Sequence, residues 1–249
     1  MALWRLFRNL LEGCARGLAL PILRSRTKHL GHEVIVSKAT YAPWLKDAAF
    51  RKIYTAIKSH TLVDEYRCYE LWNLLKQLDI QGDILEVGVW NGGTGLLMAA
   101  CEKQRQHDST VHLADTFEGV MKAGDRDSYY TGKEHSDATP QRVEAKARDL
   151  GLSNYTILKG IFPDETGDRV ADKRFKLCHI DVDVYDSAKA VFEWLWPRLE
   201  VGGLVIFDDY GFPSCDGITV LVEELKKGPG RLVVHNLNGH AILLKGQSR

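Results

Sequence analysis

Neither sign of charge prevails in this 249-residue chain: 33 Lys and Arg stand against 33 Asp and Glu, with a pI of about 7.1. The basic surplus of a dedicated nucleic-acid binder is missing, and no nucleic-acid partner is expected. The five cysteines, Cys14, Cys68, Cys101, Cys178 and Cys215, are odd in number and contain no CxxC pair. That argues against a disulfide frame and a zinc knuckle, and in favour of reduced thiols in a cytoplasmic protein. No apolar run approaches the roughly 18–20 residues that span a bilayer, so no transmembrane segment is expected. Internal repeats, low-complexity tracts and linker-like stretches are absent too. The length goes into one large α/β domain, residues 61–249, with a helical extension over residues 1–60.

That extension begins "MALWRLFRNLLEGCARGLALPILRSRTK", which places Leu3, Trp4, Phe7, Leu10 and Leu11 on one helical face and Arg5, Arg8 and Arg16 elsewhere. It reads as an amphipathic helix packing on the domain or on a second subunit, making a homo-oligomer the expected state through Leu3, Phe7 and Leu10. Contact with a membrane surface and a transit peptide are the alternatives. The stretch "GLALPIL" is short and interrupted by proline, which speaks against a secretory signal.

Beyond residue 60 the chain has a clear rhythm. Asp64 is placed to N-cap "EYRCYELWNLLKQL", whose Leu71, Leu74, Leu75 and Leu78 recur at helical spacing. Then β-rich runs alternate with helical ones. "DILEVGV" (83–89), "TVHLADTF" (110–117), "YTILKGIF", "KLCHIDVDVY" (176–185) and "GGLVIFDDY" read as strands, separated by "GGTGLLMAACEKQ", "QRVEAKARDLGL" and "SAKAVFEWLWPRL" as helices. Such alternation predicts a doubly wound, mostly parallel sheet covered on both faces. "RLVVHNLNGHAILLK" breaks the pattern, with two β-rich runs about an Asn-Gly turn that predict an antiparallel C-terminal hairpin. The polar stretch 118–140 has no periodicity and reads as a mobile lid.

In "LEVGVWNGGTG", Glu86 and Gly88 close the first strand, and Gly92, Gly93 and Gly95 open the next helix. Glycines let a ligand approach the backbone, and the helix start offers free N–H donors. The spacing is not the G-x-G-x-x-G of a dinucleotide site, and no Gly-Lys-Ser/Thr of a P-loop is present. Asp115, at the carboxyl end of the second strand, stands where an acid can accept hydrogen bonds from both ribose hydroxyls. A nucleoside-containing ligand without a favoured pyrophosphate site is implied. S-adenosylmethionine fits, because acidic neighbours suit its cationic sulfonium.

With "LEVGVWNGGTG", "LADTFEG", "HIDVDVYDS" and "GGLVIFDDYG" in this order, residues 60 to 245 resemble the TylF/MycF family of S-adenosylmethionine-dependent O-methyltransferases. The resemblance implies a class I methyltransferase fold acting on hydroxyls of sugars and related natural products. It places the cofactor motif on Glu86 through Thr94, the ribose acid on Asp115, and a magnesium ion on Asp181, Asp208 and Asp209. The N-terminal region and the lid match no motif of the family.

The magnesium expectation also has a geometric side. If the fourth and fifth strands are neighbours, Asp181 and Asp208 end them roughly 5 Å apart, so three carboxylates converge. A divalent cation relieves their repulsion, and an oxygen-only donor set favours Mg²⁺ over Zn²⁺. Asp183, alternating onto the same strand face as Asp181, is a further candidate ligand. Asp181 is the expected proton acceptor, with His135 and His240 as alternatives. Trp90, Phe117 and Tyr210 border the predicted crevice, against adenine or acceptor.

The reading that results is an S-adenosylmethionine-dependent O-methyltransferase using Mg²⁺ to orient a hydroxyl of a sugar-like small molecule. A metal-independent methyltransferase, an NAD-type oxidoreductase and a non-catalytic scaffold are the alternatives.

Overall fold

A computed structural model describes residues 7–18, 30–37 and 39–247. Its frame is a seven-stranded sheet of β1 (Asp83–Val87), β2 (Val111–Asp115), β3 (Tyr155–Lys159), β4 (Phe175–Ile180), β5 (Leu199–Phe207), β6 (Arg231–His235) and β7 (Ala241–Lys245). The spatial order is β3-β2-β1-β4-β5-β7-β6. β1 to β5 run parallel, whereas β7 is antiparallel to both neighbours, β5 and β6. The mostly parallel sheet and the C-terminal hairpin are as the sequence predicts. The chain winds outward in both directions from between β1 and β4, and in such sheets the ligand crevice opens at the carboxyl ends beside that reversal.

Helices cover both faces. Residues 7–18 form helix α1, followed by α2 (Ala48–Ile57), α3 (Glu65–Gln77), α4 (Gly93–Arg105), α5 (Pro140–Asp149), α6 (Tyr185–Leu195) and α7 (Asp216–Leu225). One core layer joins Phe50 and Ile57 of α2, Leu71, Trp72 and Leu75 of α3, and the apolar side of α4. The other seats Phe192 and Leu195 of α6 and Ile218 and Leu221 of α7 on β4 and β5. Each of these fully buried side chains contributes about 1.5–3 kcal/mol, which is what holds the helices to the sheet. Residue 60 separates α2 from α3, yet both helices share one core.

Asp64 caps α3 as expected, accepting from the backbone N–H groups of Tyr66 (2.8 Å) and Arg67 (3.0 Å). Three local readings differ from the structure. The fourth strand stops at Ile180 rather than continuing to 185, because α6 begins at Tyr185 and Asp183 takes a left-handed φ of 64°. Asp183 therefore reaches the site from a turn, not by strand alternation with Asp181. α7 has no counterpart among the helices read from the sequence. Its Ile218, Thr219, Val220 and Val222 are poor helix formers, and burial of Ile218, Leu221 and Val222 overrides that preference. In α1, Leu10 and Leu11 are 66% and 53% exposed, while Leu3 and Trp4 of the same predicted face lie outside the described residues. No helix among the described residues is long and apolar enough to cross a membrane.

Candidate active site

A cavity of about 320 Å³ opens at the carboxyl ends of β1, β2, β4 and β5. Gly88, Trp90, Thr94 and Asp115 line it, as do Asp181, Asp208 and Asp209. The structure thus brings together four of the eight residues read as cofactor-binding and all three read as metal ligands. Glu86, Gly92, Gly93 and Phe117 do not line the cavity. Glu86 is wholly buried beneath it, with Oε1 3.0 Å from His179 Nδ1. Gly92 and Gly93 serve the close approach of α4: an added Cβ would meet Val143 at 2.8 Å or the His60 carbonyl oxygen at 2.7 Å. Phe117 packs in the core. Tyr210 is buried away from the cavity, its hydroxyl bonded to Glu223 and accepting from Lys226 Nζ at 2.9 Å. It does not border the crevice as predicted.

Asp115 organises the glycine turn. Its Oδ2 accepts from the backbone N–H groups of Val89 (2.6 Å) and Trp90 (2.8 Å), and its Oδ1 from that of Phe117 (2.6 Å). The carboxylate thereby holds the first strand's turn open beside its own strand end. Trp90, with φ of 47°, donates its indole N–H to Asp137 at 2.7 Å and forms a wall of the cavity.

The lid is folded over the cavity and latched at several points. Asp127 Oδ1 accepts from the Tyr185 backbone N–H at 3.0 Å, capping α6, while the Ser128 N–H donates to Asp216 at 3.0 Å. Ser187 Oγ donates to the Met121 carbonyl at 2.7 Å. Tyr130 and His135 of the lid face the cavity.

The acidic centre follows from strand pairing. Ile180 pairs with Phe207, and the Asp208 N–H donates to the Ile180 carbonyl at 2.9 Å, so Asp181 and Asp208 leave adjacent strands side by side. One carboxylate oxygen from each of Asp181, Asp208 and Asp209 lies within 4.8 Å of the others. Burial and the neighbouring Asp208 push both Asp181 and Asp209 well above the usual carboxylate range. Burial would push Asp208 up too, but His240, Arg67 and His179 around it hold it well below that range. Asp208 Oδ2 is buried without a hydrogen-bond partner.

Two residues that the sequence reading does not single out shape this charge balance. Arg67 Nη1 donates to Asp208 Oδ1 and to Asp209 Oδ1 (3.1 Å), while its Nε donates to Asp64 at 2.9 Å. Its guanidinium carbon also lies 5.0 Å from the Phe212 ring centroid. Glu70, one turn further along α3, holds His240 through Nδ1 at 2.6 Å, leaving His240 Nε2 3.3 Å from Asp208 Oδ1. The sequence signal for Arg67 is its register: it falls four residues before Leu71 on the apolar stripe of α3, where a cation is out of place unless paired. His240 is fully buried and does not line the cavity, whereas His135 does.

An all-oxygen set of three converging carboxylates, one with an unpartnered buried oxygen, fits a hard divalent cation. S-adenosylmethionine fits the other end of the cavity, where Gly88 gives close backbone approach and Asp115 stands at the strand end.

Known proteins resemble the chain in sequence and in fold. The sequence profile of the family described as macrocin-O-methyltransferase (TylF) matches residues 49–228. The 8-demethyl-8-(2,3-dimethoxy-alpha-L-rhamnosyl)-tetracenomycin-C 4'-O-methyltransferase of Streptomyces olivaceus is 34% identical over 173 residues, 63% of this chain and 65% of that protein. The mycinamicin III 3''-O-methyltransferase of Micromonospora griseorubida is 28% identical over 172 residues, 63% of this chain and 67% of that protein. The matches thus span about two thirds of these relatives' lengths. Among solved structures, the O-methyltransferase NovP superposes with a TM-score of 0.66 at 23% identity, covering 76% of this chain and 83% of NovP. The calicheamicin methyltransferase CalS11 does so with a TM-score of 0.60 at 17% identity, covering 87% and 100% of the two chains. Both superpositions show a shared fold. The profile match covers more than half of the residues, and the chain belongs to the TylF macrocin-O-methyltransferase family.

Proposed function

We propose that this protein is an S-adenosylmethionine-dependent O-methyltransferase that methylates a sugar hydroxyl of a glycosylated small molecule, with Mg²⁺ at Asp181, Asp208 and Asp209. The observation that carries the reading is one cavity joining the Gly88–Asp115 end to the three aspartates. Relatives named for methylating sugar-bearing natural products support the acceptor class. Membership of the family, with the reversed β7, leaves the oxidoreductase alternative without support.

When bound, S-adenosylmethionine supplies an electrophilic methyl group, and Mg²⁺ supplies positive charge that orients a hydroxyl and favours its ionised form. Gly88, Trp90, Thr94 and Asp115 would hold the former, and the three aspartates the latter. The chain's own contribution is alignment, a proton acceptor and exclusion of water. Asp181, which lines the cavity between the two ends, is placed to take the proton of the acceptor hydroxyl at a carboxylate oxygen. Trp90, Tyr130 and the latched lid close the cavity around the reacting groups.

Turnover of S-adenosylmethionine with a rhamnosylated acceptor, the product's added methyl group located by mass spectrometry, tests the reading; no transfer to any glycosylated acceptor would overturn it. A second, metal-independent reading has one observation in its favour, because Arg67 already bridges Asp208 and Asp209. Full turnover in EDTA would select it.

A further inference from the structure

We propose that Arg67 is the resident counter-ion of the aspartate cluster and that a divalent cation enters the cluster only by displacing its guanidinium. The inference rests on the metal reading given above and adds the competitor that the metal meets.

Arg67 stands where the metal would. Its Nη1 donates to Asp208 Oδ1 and lies 3.1 Å from Asp209 Oδ1, the same two carboxylates that converge with Asp181. A cation bridging Asp208 and Asp209 through their Oδ1 atoms needs the space that Nη1 occupies. The guanidinium is also too well placed to be incidental: Arg67 is only 6% exposed, and Asp208 2%. Two cations confined between the same buried carboxylates would repel strongly, since little solvent screens them. Occupancy by guanidinium and by metal is therefore exclusive.

Displacement does not require α3 to move. Asp64, the N-cap of that helix, holds Arg67 at Nε with 2.9 Å, on the side away from the cluster, and is itself 41% exposed at its side chain. Phe212 lies beneath the guanidinium plane at 5.0 Å. Released from the aspartates, the planar group can keep these two contacts, and its charge stays at the cavity wall that Arg67 lines. The arrangement keeps the cluster compact before a metal arrives, at the cost of weaker metal binding.

The test is a titration of Mn²⁺, followed by the electron paramagnetic resonance of the free ion, into the wild-type protein, Arg67→Gln and Arg67→Lys, without cofactor or acceptor. Thermal midpoints are recorded with and without Mn²⁺. Arg67→Gln should bind on the order of tenfold more tightly, as expected for a coupling between two mutually exclusive ligands. Its midpoint should fall without metal and recover with it. Arg67→Lys, a point charge that cannot span two carboxylates, should lie between the other two proteins. If Arg67→Gln does not fold, the lysine variant against wild type decides alone. Equal affinity in all folded proteins overturns displacement while leaving the metal centre standing. No stoichiometric Mn²⁺ binding in any of them overturns the metal centre and the proposal together.

Discussion

A Cβ added to Gly88 would lie 1.7 Å from the carbonyl oxygen of Asp181. The turn proposed to face the cofactor and the strand end that presents a candidate metal ligand thus touch main chain to main chain. Nothing but hydrogen fits between them. Gly88 also has φ of +87°, which L side chains adopt at a cost.

Gly88→Ala is expected to cost at least about 3 kcal/mol, since both backbones must separate. Gly211→Ala is the control: the same φ of +87°, but open space around the added carbon, for a cost of about 1 kcal/mol. Urea unfolding of the two variants measures the difference, and equal costs would refute the close approach as the cause.

Asp115→Asn retains shape but presents an amide where three backbone N–H groups converge. Loss of hydrogen bonds to a charged acceptor is worth about 1.5–3 kcal/mol each, so cofactor binding should weaken at least about tenfold. Calorimetric titration of S-adenosylmethionine into the variant reads this directly.

Asp181→Asn removes the proposed proton acceptor without changing its outline. Turnover should fall about 100-fold or more. The dissociation constant for S-adenosylmethionine should stay within a factor of a few, and a parallel loss of cofactor binding would point to a structural role instead.

Asp127→Ala takes the cap from α6 and unlatches the lid at one stroke, at a cost of about 1 kcal/mol. Limited proteolysis should cut the variant faster than wild type between residues 118 and 137. Unchanged cleavage would mean that Ser128 and Ser187 suffice to hold the segment.

The pH dependence of stability has a specific source in His240. Burial alone would lower its pKa, but Asp208 and Glu70 on its two sides raise it from near 6.5 to about 9. The group therefore takes up a proton on folding. Its contribution is complete below about pH 6.5 and is lost as pH rises through about 9. His240→Asn should flatten the stability profile across that window; an unaltered slope in denaturation experiments would assign it to other groups.

Much of the fold was open to reading because its signals are local. Alternating apolar runs mark β1 to β5, the Asn-Gly turn marks the final hairpin, and Asp208-Asp209 come directly after an apolar strand. Asp64 as a cap needs only the three residues after it. What escaped is what the fold brings from afar. Arg67 stands 141 positions from Asp208, and Glu70 stands 170 from His240, so no spacing rule links them. The left-handed turn at Asp183 escaped because nothing in "HIDVDVYDS" distinguishes a strand's last residues from the turn into a helix. The candidate site was thus half legible: two of its three carboxylates are sequential neighbours and the third ends an apolar strand, but the cations that balance them carry no such local mark.

The sheet order β5-β7-β6 carries one more meaning. During synthesis β6 emerges before β7 but belongs outside it, so the two can pair as a local hairpin that joins the sheet through its later strand. Docking of β7 on β5 is the non-local step at this edge, and until it occurs the edge of β5 is exposed. His240 immediately precedes β7, so the docking that completes the sheet also seats its imidazole against Asp208. Until that last strand docks, the aspartate lacks one of the positive partners that keep it ionised. The maturation of the fold and the charging of its reactive centre are a single event.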